Sequence, residues 1–192
     1  MTLLILGLIL FLGAHSTRIF AAGWRDAMIR KLGANGWKGA CALVSLAGLM
    51  LIVVGYGAAR ADPMVIWSPP LWTRHAASLL TLGAFVLLAA AYVPSNRIKA
   101  AIGHPMIAGV KLWAFAHLIS NGMLADVVLF GSFLAWAVAD FIAARRRDRA
   151  AGVTYNSGAV PTVVTVLLGV VLWAAFAFWL HRVLIGVAPF GR

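Results

Sequence analysis

Acidic residues are nearly absent from this chain. Asp and Glu together number 5 in 192 residues, all five of them Asp, and charged residues make up 11%. With 63% hydrophobic residues and a mean hydropathy of +0.95, the chain cannot be a water-soluble domain and is predicted to be an integral membrane protein. The absence of Glu also excludes a di-iron carboxylate site, which needs paired Glu and Glu-x-x-His.

Cysteine is almost as rare. The lone Cys41 excludes an internal disulfide and a cysteine-based zinc site, and it is interpreted as a small buried hydrophobe. The chain has no Cys-x-x-Cys-His motif, so covalent attachment of a c-type haem is excluded as well.

Apolar runs occupy most of the sequence. They predict an all-α integral membrane bundle of six transmembrane helices, forming one domain over residues 1–192 in the lipid bilayer. The fourth run has only 15 residues, against a minimum of about 17 for a span, so five helices plus one short span is the alternative. The runs are Thr2 to Phe20, Ala40 to Ala59, Arg74 to Val93, Pro105 to Ile119, Leu124 to Ala144 and Val160 to Ile185.

The 16 Lys and Arg residues lie mostly between these runs. They therefore indicate membrane orientation, and no nucleic-acid partner is expected. Eleven follow the first, third and fifth runs, whereas four, among them Arg182 and Arg192, lie on the other side. The positive-inside rule predicts a multi-pass protein with both termini outside the cytoplasm.

Two of the five histidines lie deep in apolar runs, where a polar imidazole is costly and marks a functional site by default. His15 is roughly 20 Å from the start of the first run, and His117 roughly 18 Å from the start of the fourth. Because these runs have opposite directions, both side chains are expected near the middle of the membrane. His75, His104 and His181 lie closer to span ends and are interpreted as interface residues.

Two deep, facing imidazoles are what a six-coordinate b-type haem requires as axial ligands. Each histidine ends a stripe with four-residue spacing, which puts its members on one helix face. Such stripes are also found where helices merely pack closely, so a haem-free bundle is the alternative. The stripes are Gly7, Phe11 and His15 in the first run, and Gly109, Trp113, His117 and Asn121 in the fourth.

Arg18 lies one turn after His15 on roughly the same face. A guanidinium there could contact a haem propionate or serve only as a positive-inside anchor, and both roles remain open.

The elements His104-Pro105, Ala116-His117-Leu118 and Asn121-Gly122, together with Gly13-Ala14-His15, resemble the NnrU family over nearly the whole length. That family is similar to the plant 15-cis-zeta-carotene isomerases. The resemblance implies a bacterial inner-membrane protein linked to nitrite and nitric oxide metabolism in denitrifiers. Its isomerase relatives carry haem b, and their ligands match His15 and His117.

Several functions remain open. The leading one is a b-type haem protein of nitrogen-oxide or redox metabolism, with a redox partner. The alternatives are a haem-dependent cis–trans isomerase of a polyene or other apolar lipid and a haem-free accessory protein. The His104-Pro105 element also resembles the isoprenylcysteine carboxyl methyltransferases, but those carry adjacent glutamates near their C-terminal end and this chain has none. Oligomeric state and substrate are left undetermined.

The charge asymmetry makes a topological prediction. A reporter fused after Ala150 should be read out in the cytoplasm and one fused after Arg192 on the opposite side, because basic loops stay inside. Paired cytoplasmic and periplasmic reporters at both positions measure this directly. The same compartment at both positions would contradict six spans.

Overall fold

The computed structural model describes residues Met1–Phe190. Arg192, counted above among the four outer basic residues, lies outside the described residues. The protein is 83% helical and has no strands within the described chain. The helices are α1 (Thr2–Phe20), α2 (Ala22–Ala61), α3 (Leu71–Tyr92), α4 (Arg97–Ile102), α5 (Pro105–Ser120), α6 (Leu124–Ala150), α7 (Ala159–Ala175), a π-helical turn (Phe176–Leu180) and α8 (His181–Ile185).

Five helical segments are long and apolar enough to cross a membrane, and α5 is a shorter apolar helix. The predicted all-α membrane bundle of five long spans and one short span is therefore confirmed. Large side chains such as Ile9, Leu43 and Leu167 expose 61–71% of their surface. In water, exposed apolar surfaces of this kind promote aggregation, whereas the hydrocarbon of a bilayer solvates them.

Within α2, the helix breaks at Gly33, whose φ of 74° and ψ of 162° are non-helical. Glycine adopts a positive φ without the steric cost that a Cβ imposes. The break separates a short helix containing Trp24 from the apolar segment that follows.

The chain clusters into two compact units, and the expected single domain stays a prediction. The first unit comprises Met1–Trp67 and Gly122–Asp140. Its helices α1 and α2 approach closely at glycines: a Cβ added to Gly7 would lie 2.6 Å from the Ile52 nitrogen, and Gly48 is equally enclosed. Lipid is as apolar as leucine, so helices in a membrane associate through such close packing of small residues.

One polar contact stabilises the first unit internally. The Tyr56 hydroxyl donates to Asp126 Oδ1 at 2.6 Å, and Asp126 Oδ2 accepts the Met123 backbone N–H at 3.1 Å. Asp126 is 4% exposed, and it caps the start of α6 by satisfying an otherwise unpaired donor.

The second unit comprises Ser68–Asn121 and Phe141–Arg192, described here up to Phe190. Helix α3 packs against both α5 and α7. A Cβ on Gly109 of α5 would lie 3.0 Å from the Ala84 carbonyl oxygen, and Gly169 of α7 packs directly on Val86. The buried Asn96 ends α3 and starts α4, donating to the Ala90 and Val93 carbonyls and accepting the Lys99 N–H.

We expect Tyr56→Phe to lower the free energy of unfolding by about 1 kcal/mol, because it removes a donor from a buried carboxylate. Thermal melts in detergent measure the loss. Tyr92→Phe is the matched control, since that side chain is 72% exposed. Equal melting temperatures for the two variants would mean that the Tyr56 hydroxyl contributes nothing.

Candidate functional site

His117, on α5 in the second unit, is half-buried, and its backbone environment determines its tautomer. Its Nδ1 lies 2.8 Å from the Trp113 carbonyl oxygen, and its ring centroid is 5.2 Å from that of Trp113. A carbonyl can only accept a hydrogen bond, so Nδ1 carries the proton and Nε2 the lone pair. A histidine that binds a metal is usually oriented in this way.

His15, on α1 in the first unit, has the same local arrangement. Its Nδ1 lies 2.7 Å from the Phe11 carbonyl oxygen, and the Phe11 ring is 4.4 Å away. Trp136 stands edge-on to the His15 ring at 6.0 Å, and the Trp136 Nε1 is buried without a hydrogen-bond partner among the described residues. His15 itself is exposed within its unit, as is Arg18 at the end of α1.

Gly7, which belongs to the same stripe as Phe11 and His15, is enclosed by the α2 backbone. Its missing side chain permits the contact between α1 and α2 described above.

A cavity of about 710 Å³ lies inside the second unit. Its size falls within the range of small-molecule and cofactor sites. All four members of the α5 stripe, Gly109, Trp113, His117 and Asn121, line it. The structure thus brings these four sequence-predicted residues together on one wall. Helix α3 and the segment from Trp173 to Phe190 contribute the remaining walls.

The cavity changes from polar to apolar along its length. Gly109 meets Ala84 and Gly83 meets Leu112, so α5 runs antiparallel to α3. By this register, His117 is level with Ser78, and Asn121 is level with Arg74. The lining at the opposite end is apolar: Ala84, Phe85, Leu88, Met106, Gly109 and Val110. We call the end near Arg74 the polar end.

The π-helical turn brings His181 to the polar end. Gly169 packs on Val86, and Trp173 Nε1 donates to Thr81 Oγ1 at 3.3 Å, so α7 runs antiparallel to α3 and His181 is level with Arg74. His181 Nδ1 donates to the Val187 carbonyl oxygen at 2.7 Å, so Nε2 is the ring nitrogen that this carbonyl does not engage. From the sequence, His181 was interpreted only as an interface residue. Single π turns are frequent at functional sites, but apolar periodicity does not reveal them.

A second polar cluster surrounds His104, at the start of α5. His104 Nε2 lies 2.9 Å from Asp148 Oδ2, at an angle outside the range of a hydrogen bond, and the Tyr155 hydroxyl donates to the same oxygen at 2.8 Å. This hydrogen bond, aided by burial, raises the pKa of Tyr155. The His104-Pro105 element therefore connects the start of α5 to the end of α6, at residues that do not line the cavity.

Within Met1–Phe190, no three His, Cys, Asp or Glu side chains gather as a metal site would require.

Residues 3–189 match the protein family described as NnrU protein. The chain belongs to the NnrU family. The match covers nearly the whole sequence and so includes residues of both units. No curated protein and no solved structure matches this NnrU-family chain.

The glycine at the apolar end of the cavity generates a prediction. Gly109→Ala should lower the melting temperature by the equivalent of about 1 kcal/mol or more, because its Cβ would press on the Ala84 carbonyl of α3. Gly131→Ala, in open space within α6, should be neutral or stabilising, since alanine is the better helix former. Melts of both variants in detergent compare them. A loss at Gly131 but none at Gly109 would contradict the packing described here.

Proposed function

We propose that this NnrU-family protein is an integral membrane b-type haem protein and that His117 is an axial ligand of the haem. One observation carries the proposal: a histidine whose Nδ1 donates to a backbone carbonyl, so that Nε2 is the ring nitrogen suited to a metal, lines a cavity of cofactor size. Haem binds proteins in this way, with its apolar body buried and an imidazole nitrogen on the iron.

The lining of the cavity suits a porphyrin. Trp113, Trp173 and Phe176 supply flat apolar surfaces, and Gly109 adds no side chain to the apolar end. None of the described lining residues is acidic, so the negative charges of the propionates would meet no like charge.

His15 is the proposed second axial ligand. Its depth in the sequence, its Nδ1 hydrogen bond to Phe11 and its aromatic neighbours support the assignment. Phe11 would then hold the ring both through its carbonyl and by its own aromatic face.

The physiological role proposed is nitrite, nitric oxide or related redox metabolism at the bacterial inner membrane, as the family resemblance implies. A bound haem supplies one-electron chemistry or a site for diatomic ligands. The chain's own residues bind it, orient the imidazoles and exclude water.

The shape of the cavity favours one alternative, a haem-dependent cis–trans isomerase of a polyene or similar apolar lipid. From Arg74 to Leu88 the lining extends over 15 residues of α3, or about 21 Å. A cavity of that length, apolar beyond its polar end, could accommodate an extended chain. Turnover of an added polyene by the purified protein would favour this alternative over electron transfer.

We expect detergent-purified protein to have the optical spectrum of a low-spin b-type haem, and His117→Ala to lose most of its haem because an apolar cavity offers few substitute ligands. His15→Ala should retain haem in a five-coordinate form that binds carbon monoxide more readily. His75→Ala is the control, since His75 is exposed and does not line the cavity.

Haem content and oxidised and reduced spectra measure these outcomes. A His117→Ala protein with full haem content and an unchanged spectrum would remove His117 as a ligand. Wild-type protein that binds no haem would favour the haem-free accessory role.

A further inference from the structure

We infer that Arg74, together with His181 at the same end, binds the carboxylates of the ligand in the second unit's cavity. This inference rests on the proposed haem, whose two propionates are the carboxylates in question. His117 and its stripe account for an iron ligand, but they do not determine which edge of the haem faces which end of the cavity. The polar end of the cavity supplies that orientation.

Position along the cavity is the first support. Arg74, Asn121 and His181 come from three different segments and lie level with one another, and His117 lies one helical turn towards the apolar end. An amphipathic ligand held at His117 would direct its charged edge to these three residues and its apolar body the other way.

Charge is the second support. Arg74 lies in the first turn of α3, where the helix dipole disfavours a cation, and that turn contains no acidic residue. An arginine in this position would be stabilised by an anion from elsewhere. Its planar fork of donors matches a carboxylate better than any other side chain does.

His181 adds a second group suited to a carboxylate. Its Nδ1 is already committed to the Val187 carbonyl, so only Nε2 remains to act on the cavity. As an imidazolium, His181 donates from Nε2 to a carboxylate oxygen.

The inference differs from the propionate contact that was one of the two roles considered for Arg18 from the sequence. Arg18 belongs to the first unit and does not line this cavity. Substitution of Arg74 and substitution of Arg18 are therefore expected to give different results in the same haem-binding experiment.

The test compares reconstitution with haem b and with its dimethyl ester, in which both propionates are neutral. Arg74→Gln should weaken binding of haem b by about ten-fold or more, because a charge-assisted hydrogen bond is lost. It should leave binding of the diester unchanged. Arg182→Gln is the matched control: Arg182 is exposed, as Arg74 is, and adjoins His181, but it lies outside the cavity lining.

Titration of the haem-depleted full-length protein, followed by absorbance, gives the affinities. Equal losses with haem b and the diester would mean that Arg74 acts on folding alone and would overturn the inference. The inference would also be overturned if Arg74→Gln bound haem b as tightly as the wild-type protein while Arg18→Gln bound it more weakly. If the wild-type protein binds neither haem, the proposed haem function itself fails.

Discussion

The close approach of α5 and α7 to α3 underlies the rest of the second unit. Gly109 and Gly169 permit it, because a Cβ at either position would press on the backbone of α3. In hydrocarbon, helix association depends on such packing, since burying apolar surface gains nothing. The same registers align Arg74, Asn121 and His181 at one end of the cavity and leave the other end apolar.

Backbone carbonyls orient the histidines. His15 and His117 each donate from Nδ1 to the carbonyl four residues earlier, and His181 donates to Val187. In a membrane a buried donor must find a partner within the protein, and the helix carbonyl is the nearest one. The consequence is chemical as well as structural, because in each ring Nε2 is the nitrogen that the backbone carbonyl does not engage.

Much of the candidate site could be read from spacing. Positions four apart share a helix face, so Gly109, Trp113, His117 and Asn121 were expected on one side of α5, and they do line one cavity. His181 and Arg74 were not expected there. The π turn before His181 changes the helical phase, so spacing along the sequence does not predict which way that residue faces. The contacts of α3 with α5 and α7 join segments that are distant in sequence, so they cannot be read from local spacing.

The sequence by itself determined the class of the protein, its helical spans and the α5 stripe, because hydropathy and periodicity are local properties that a bilayer enforces. The tertiary structure decided which faces meet. In the folded protein Gly7 packs against α2, and His104 lies next to Asp148. Arg74 and His181 lie level with each other at the polar end of the cavity. These outcomes depend on the registers between helices, which arise from the packing of side chains distant in sequence.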